Sequence, residues 1–466
     1  MAPTGLLDSF LAAIQASLSV LLVIFYGGIA AHLKLLTPAN TKAISKVCVR
    51  MFLPALLVTS IGSELHAGSA KRYGIILIWA IICHLISFLI GVAAHLWMGM
   101  PDWTTVALMF NNTTSYPLLL IAALQQTGIL QSLIVSDEST AKAVERAKSY
   151  FLVFATISSC LTFAVGPRLI DTEHPPEHDK EAPEVNGHGD LEAGAGAYDA
   201  DPDDDDEEVD PLDPHGATEQ TGLLNSRPSV SFASNTFLVS KRRPSVAATP
   251  SQEMKRRPSV VPKRHWVKLG PRAKWWLLFI ADFFNAPLLG AILGAIIGLI
   301  RPLHRSFFND TYQGGIFTAW LTSSWQSIGG LFVPLPVVVA GVSLYTAMRD
   351  ARRNSATTRA NTKLPWITVA FIMVIRFVIW PVASIALIYA LATRTSILGE
   401  DPMLWFAMML MPTGPPAMKL ITLIQVSDAD EAEERNISKL LTLSYAISPI
   451  LSFTVVGALR ASQAAI

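Results

Sequence analysis

Along this chain the apolar positions neither alternate nor recur every three or four residues; they run together in long blocks. A helix needs about 20 such residues to cross a hydrocarbon core, at ~1.5 Å per residue. Ten blocks qualify, at 9–33, 43–63, 73–97, 104–125, 147–170, 274–300, 322–346, 365–392, 402–426 and 438–460. The pattern predicts an all-α polytopic membrane protein with ten transmembrane helices. The first block lacks a basic leader and a small-residue cleavage site, and its run is too long for a signal peptide, so it reads as a retained span.

Between the fifth and sixth blocks the pattern stops. Residues 171–273 are rich in Pro, Gly, Ser and charge, with too few large apolar side chains to fold alone. The chain thus divides into 1–170 with spans 1–5, a disordered cytosolic loop over 171–273, and 274–466 with spans 6–10. Five spans per half send the second half into the membrane in the opposite sense, so internal similarity means an inverted-topology repeat. Three matches occur in order. Span 2 reads MFLPALLVTSIGS from Met51 and span 7 reads LFVPLPVVVAGVS from Leu331, each with phenylalanine two residues before a proline. His84 lies thirteen residues beyond Lys71, and Arg376 thirteen beyond Lys363. Spans 4 and 9 are both interrupted, by NNTTSYP from Asn111 and by MPTGPP from Met411.

Charge sets the orientation. The chain of 466 residues is 51% hydrophobic and 15% charged with zero formal net charge, but 19 of its 36 acidic residues fall between Asp171 and Glu219. Among the short connections, that between spans 1 and 2 holds Lys34, Lys42, Lys46 and Arg50, and that between spans 7 and 8 holds Arg349, Arg352, Arg353, Arg359 and Lys363. The opposite side carries fewer, although Lys142, Arg146 and Lys148 run against the trend. The positive-inside rule then places both termini outside or in a lumen and the long loop in the cytosol. The sequon Asn309-Asp310-Thr311 falls on the glycosylation-competent side. No nucleotide-cradling loop and no H-E-x-x-H helix is present, and the three cysteines lie inside spans. The sequence therefore points to no enzyme, no cofactor, no metal and no nucleic-acid partner.

The polar interruptions are where chemistry is expected. Unwound backbone survives in lipid only inside protein or beside a wet cavity. Span 4 is read as broken near Asn112–Pro117 and span 9 near Pro412–Pro416, and in an inverted repeat such breaks meet near the midplane and form the substrate site. Asn111, Asn112, Thr113 and Thr114 are the leading substrate contacts, with Pro117 and Pro415 or Pro416 at the crossing. Lys419, one turn past Pro415, would complement a carboxylate or else snorkel to the interface. His84 and Arg376 are ionisable groups within spans and candidates for coupling. Arg376 could equally serve a helix C-terminus, and His84 a satisfied core position.

These residues resemble the auxin efflux carrier family, which includes the PIN-FORMED and PIN-LIKES proteins and bacterial carboxylate carriers. The resemblance rests on ten spans in two fives, a variable central loop, the Asn/Thr run ending in proline, NAPLLGAILGAIIGLIRPL from Asn285, and the proline-rich break of span 9. It covers about 360 residues in both membrane halves, and MPTGPPAMKL resembles the PIN-LIKES and fungal-type branch more than the plant plasma-membrane carriers. It implies two crossing broken helices, a scaffold, a transport unit moving in an elevator-like way, and export or compartmental uptake of organic anions. A regulated scaffold or receptor without transport is the alternative. Self-association as a homodimer is left open.

The loop adds a regulatory expectation. RPSV occurs three times, twice as KRRPSV, making Ser245 and Ser259, and more weakly Ser229, sites for a basophilic kinase. Glu219 to Leu224 has acidic-dileucine spacing, which favours an endomembrane, endoplasmic reticulum or vacuole, over the plasma membrane.

Overall fold

The computed structural model describes residues 5–135, 138–166, 169, 270–357, 365–420 and 431–466, side chains of Pro38, Pro271, 350–357 and 431–435 excepted. The central loop, with Ser229, Ser245 and Ser259, and the end of the ninth block beyond Leu420 lie outside the described residues. Every regular element described is helical: α1 (Leu6–His32), α2 (Pro38–Val47), α3 (Leu53–Glu64), α4 (Ala70–Met98), α5 (Trp103–Met109), α6 (Ser115–Gln126), α7 (Thr140–Ala164), α8 (Pro271–Phe283) and α9 (Ala286–Leu299). The chain continues through α10 (Arg301–Phe308), α11 (Ser323–Gly330), α12 (Leu335–Thr357), α13 (Trp366–Val374), α14 (Trp380–Arg394), α15 (Pro402–Leu410), α16 (Glu431–Ile447) and α17 (Leu451–Ala464). Seven helical stretches among the described residues are long and apolar enough to cross a membrane: Leu6–His32, Ala39–Glu64, Ala70–Met98, Thr140–Ala164, Thr318–Arg349, Trp366–Arg394 and Asn436–Ala464.

The three other blocks of the sequence are bent or broken. The block at 274–300, read as one span, is formed by α8 and α9 meeting at 62°. The bend follows from Asn285, whose side chain accepts the Leu288 N–H at 3.1 Å, and from Pro287 in the first turn of α9. This pair starts a new helix, since the cap satisfies one orphan donor and proline lacks another. Prolines also shape two continuous spans. Widened π-type turns at Cys48–Phe52 and Ile375–Ile379 stand just before Pro54 and Pro381, where the ring would clash with the carbonyl four residues back.

Lipid gives helices no hydrophobic reason to associate, so close contact depends on small residues. A Cβ on Gly27 of α1 would lie 2.1 Å from the Val338 carbonyl oxygen, and one on Gly341 of α12 would lie 1.9 Å from that of Ile24. In the same way Gly290 of α9 sits on the backbone of Pro54 in α3. These contacts tie α1 to α12 and α3 to α9 and α11. A second group joins α4 to α5 and α7, and α15 to α7, α14 and α17. Large side chains such as Phe25, Ile78, Leu89 and Trp97 are exposed on the outer helix faces, as lipid-facing residues must be.

Candidate functional site

Helix α5 ends at Met109, the chain is extended at Phe110 (φ −112°, ψ 106°), and helix resumes at Ser115. The gap is therefore Phe110–Thr114, earlier than the break read from the sequence at Asn112–Pro117. Pro117 lies inside the first turn of α6, where an N–H would have no intrahelical acceptor, so it helps start the second half-helix rather than break the first. The second gap falls where the sequence placed it. Helix α15 ends at Leu410, Gly414 takes the left-handed backbone (φ +103°), and helix resumes at Lys419.

The two gaps cross as a single antiparallel bridge between Asn111 and Pro416. The Asn112 N–H donates to the Pro415 carbonyl at 3.0 Å, and the Ala417 N–H donates to the Phe110 carbonyl at 2.9 Å. The pairing is reciprocal about Asn111 and Pro416, which face each other as a pair that exchanges no hydrogen bond of its own. Proline fits there at no cost, because its missing donor is not needed.

Each broken helix must still place the carbonyls of its last turn. Those of α15 are each met. Met408 accepts from Trp79 Nε1 (3.0 Å), Met409 from the Ser384 hydroxyl (2.7 Å), and Leu410 from the Thr413 hydroxyl (2.7 Å). Asn111 Nδ2 donates to both Met411 (2.9 Å) and Thr413 (2.8 Å). Arg376 Nη1 donates to Pro412 (3.1 Å) and its Nη2 to Ala107 in the last turn of α5 (3.4 Å). Asn111, only 2% exposed, has thus spent both amide hydrogens on the crossing.

Asn112 faces the other way. Its Nδ2 donates to the Tyr445 hydroxyl at 2.8 Å, its Oδ1 accepts the Tyr116 N–H at 3.4 Å, and Tyr445 in turn donates to the Pro416 carbonyl at 3.3 Å. One amide hydrogen of Asn112 remains. Buried Thr113 and half-buried Thr114 have side chains that make no hydrogen bond among the described residues. Pro415 and Pro416 are buried, and Lys419 is half-buried within electrostatic reach of His84 and Cys160. His84 donates through Nδ1 to the Ala80 carbonyl (2.7 Å) and shares a small void with Arg376, Asn111 and Pro412. A second cleft, lined by Pro117, Thr413 and Gly414, holds about 20 Å³, room for roughly one water. Asn309 closes α10, half-buried, its carbonyl held by the Thr318 hydroxyl.

Sequence reasoning did not single out Tyr445, Trp79 or Asp401. Tyr445 and Trp79 looked like ordinary aromatic residues of an apolar run. Asp401 carried a readable signal, an acidic residue directly before Pro402, and it caps α15 by accepting from Met403 and Leu404. Its carboxylate also takes the Tyr150 hydroxyl (3.0 Å), Arg72 (3.3 Å) and Arg146 (3.3 Å).

Chemically the crossing offers neutral amides, hydroxyls, the positive end of α6 and two cations, and among the described residues neither cation pairs with a carboxylate. Such a set suits a small anion with some apolar surface. No group of three His, Cys, Asp or Glu that could hold a metal occurs among the described residues. A protein of Schizosaccharomyces pombe, named as an uncharacterized transporter, is 23% identical over 448 residues, covering 93% of this chain and 91% of its own. A family profile described as membrane transport protein matches residues 12–456. With nearly its whole length inside that match, the chain belongs to the membrane transport protein family, the family of the auxin efflux carriers.

Proposed function

We propose that the protein is a secondary carrier moving small organic anions, carboxylates of auxin-like size and polarity, by alternating access. The observation that carries this is the buried crossing of two unwound helices, locked by reciprocal backbone bonds and flanked by two cations that no carboxylate pairs among the described residues. Irregular backbone at membrane depth needs protein or a wet cavity around it, and here the polar side chains left over at the gap favour a substrate path. In this reading ten spans form two inverted repeats, with 1–170 and 274–466 as the halves. The contacts α1–α12 and α3–α9 form the scaffold, and the group around the crossing moves against it in an elevator-like step. Asn112, Thr113 and Thr114 touch the substrate, Asn111, Pro415 and Pro416 hold the crossing, and Lys419 attracts the carboxylate. An endomembrane location and phosphorylation of the central loop belong to the same proposal.

Uptake of radiolabelled indole-3-acetate and malate into proteoliposomes tests it, with protein-free liposomes as reference. Saturable uptake by the wild type, reduced in Asn112→Ala, is the expected result. Uptake of neither acid above the reference, or an unchanged Asn112→Ala, would overturn it.

A further inference from the structure

Carbonyls freed at the ends of broken half-helices are where carriers of this architecture hold a coupling metal cation such as Na⁺. Here two such carbonyls, one from each broken helix, are already taken by a side chain. Ala107 in the last turn of α5 and Pro412 just beyond α15 both accept from the guanidinium of Arg376. Arg376 is 1% exposed, and among the described residues no carboxylate pairs with it. Its positive charge sits instead at the C-terminal ends of α5 and α15, the helix ends where a cation is favoured. The widened turn before Pro381 delivers it to this place. Its Nε and the Nε2 of His84 border one void, and neither has a hydrogen-bond partner among the described residues.

We propose that Arg376 is a tethered cation, standing where such a carrier would otherwise bind a free monovalent metal ion, so that this chain takes its substrate without sodium. The inference rests on reading the crossing as a carrier site. A guanidinium combines two roles, and an uncharged donor can fill only the first. It bridges the two broken helices with separate N–H groups, and it supplies a permanent charge to an otherwise negative pair of helix ends.

Removing the tether should recreate a site for a mobile cation. Wild type, Arg376→Ala, Arg376→Gln and Arg376→Lys, purified at full length, are melted in choline chloride, sodium chloride and methylguanidinium chloride at equal low concentration. The wild type should melt at one temperature in sodium and choline. Arg376→Ala should melt lower in choline and recover in methylguanidinium and, in part, in sodium. Arg376→Lys should melt above Arg376→Gln, since only lysine keeps the charge, and this comparison decides the matter should the alanine variant not fold. In proteoliposomes, Arg376→Ala should lose about tenfold of its indole-3-acetate uptake in choline and regain part of it in sodium. Sodium stabilisation of the wild type, an alanine variant indifferent to both cations, or a glutamine variant at least as stable as the lysine one would each overturn the proposal. The melting series needs no transport. A wild type that transports neither acid while the cation responses appear as expected would reject the carrier reading and keep the tethered cation.

Discussion

Asn111 and Asn112 are chemically identical neighbours with different work, and the backbone explains why. In an extended stretch successive side chains point to opposite sides. Asn111 therefore reaches the carbonyls of Met411 and Thr413, and Asn112 reaches Tyr445. Substituting Asn111 by Ala strands two buried carbonyls and should destabilise the purified protein by roughly 2–4 kcal/mol, read as an earlier thermal melt. Substituting Asn112 by Ala leaves Tyr445 still donating to Pro416, so the melt should stay close to wild type. Its cost should fall on substrate instead, about a ten- to hundredfold loss of affinity from one or two missing hydrogen bonds. An Asn112→Ala protein that melts as early as Asn111→Ala would show both amides to be structural. The run NNTTS announced that polar groups were needed at this depth. Which amide served the protein and which was left over depended on a partner segment 300 residues away, and no local pattern encodes that.

Among the elements, the most legible feature was the presence of two broken helices, and the least legible was what breaks them. In span 9 the prolines and Gly414 sit inside the gap, so reading them as breakers located it. In span 4 the proline lies past the gap, and the helix is interrupted because tertiary partners, Ala417 and Arg376, claim carbonyls that would otherwise close it. Pro117→Ala should consequently leave α6 in place and uptake within about twofold of wild type, since a helix first turn tolerates either residue. A large loss of uptake in that variant would return the proline to the role of breaker. The bend between α8 and α9 was missed because Asp282, Asn285 and Pro287 are the few breaks in its apolar run, and the last two were read only as family likeness. A third element depends on Asp401, which caps α15 and collects Arg72, Arg146 and Tyr150. Asp401→Ala leaves a largely buried arginine without that partner and uncaps a half-helix, a cost of about 3 kcal/mol that a thermal melt would report. Arg146 keeps Glu138, so the loss should be smaller in an Asp401→Asn protein, whose amide oxygen can still cap.

At the scale of the whole molecule, side-chain contacts near the helix ends sort the connections into two faces. Arg460 of α17 donates to Ser9 of α1 at 3.3 Å, and Gln463 donates to Ser132, just beyond α6, at 2.7 Å. Asp401 meets Arg72 at the start of α4 and Arg146 near the start of α7. Near the other ends of the same helices, His95 pairs with Asp102 at 2.8 Å and His32 with Tyr345 at 2.8 Å. The first and last helices thus have their outer ends together, which requires an even number of crossings between them. Ten alternating spans meet that requirement, and they put the connections at 65–69, 127–139 and 395–401 on the face of both termini. The lysine and arginine count assigns this face to the exterior or lumen, with Lys142, Arg146 and Lys148 as its exceptions. Arg146 and Lys148 are ion-paired, to Glu138 and Asp401 and to Glu145, which reduces their weight as free positive charge. A reporter fused after Ile466 should therefore be shielded from the cytosol, and one inserted in 171–273 should be open to it. Glycosylation at Asn309 would agree with that assignment. A cytosolic signal from the C-terminal fusion with a lumenal signal from the loop would invert the orientation and leave the crossing intact. Both reporters on one face would mean an odd number of crossings in the second half is wrong, and with it the inverted repeat.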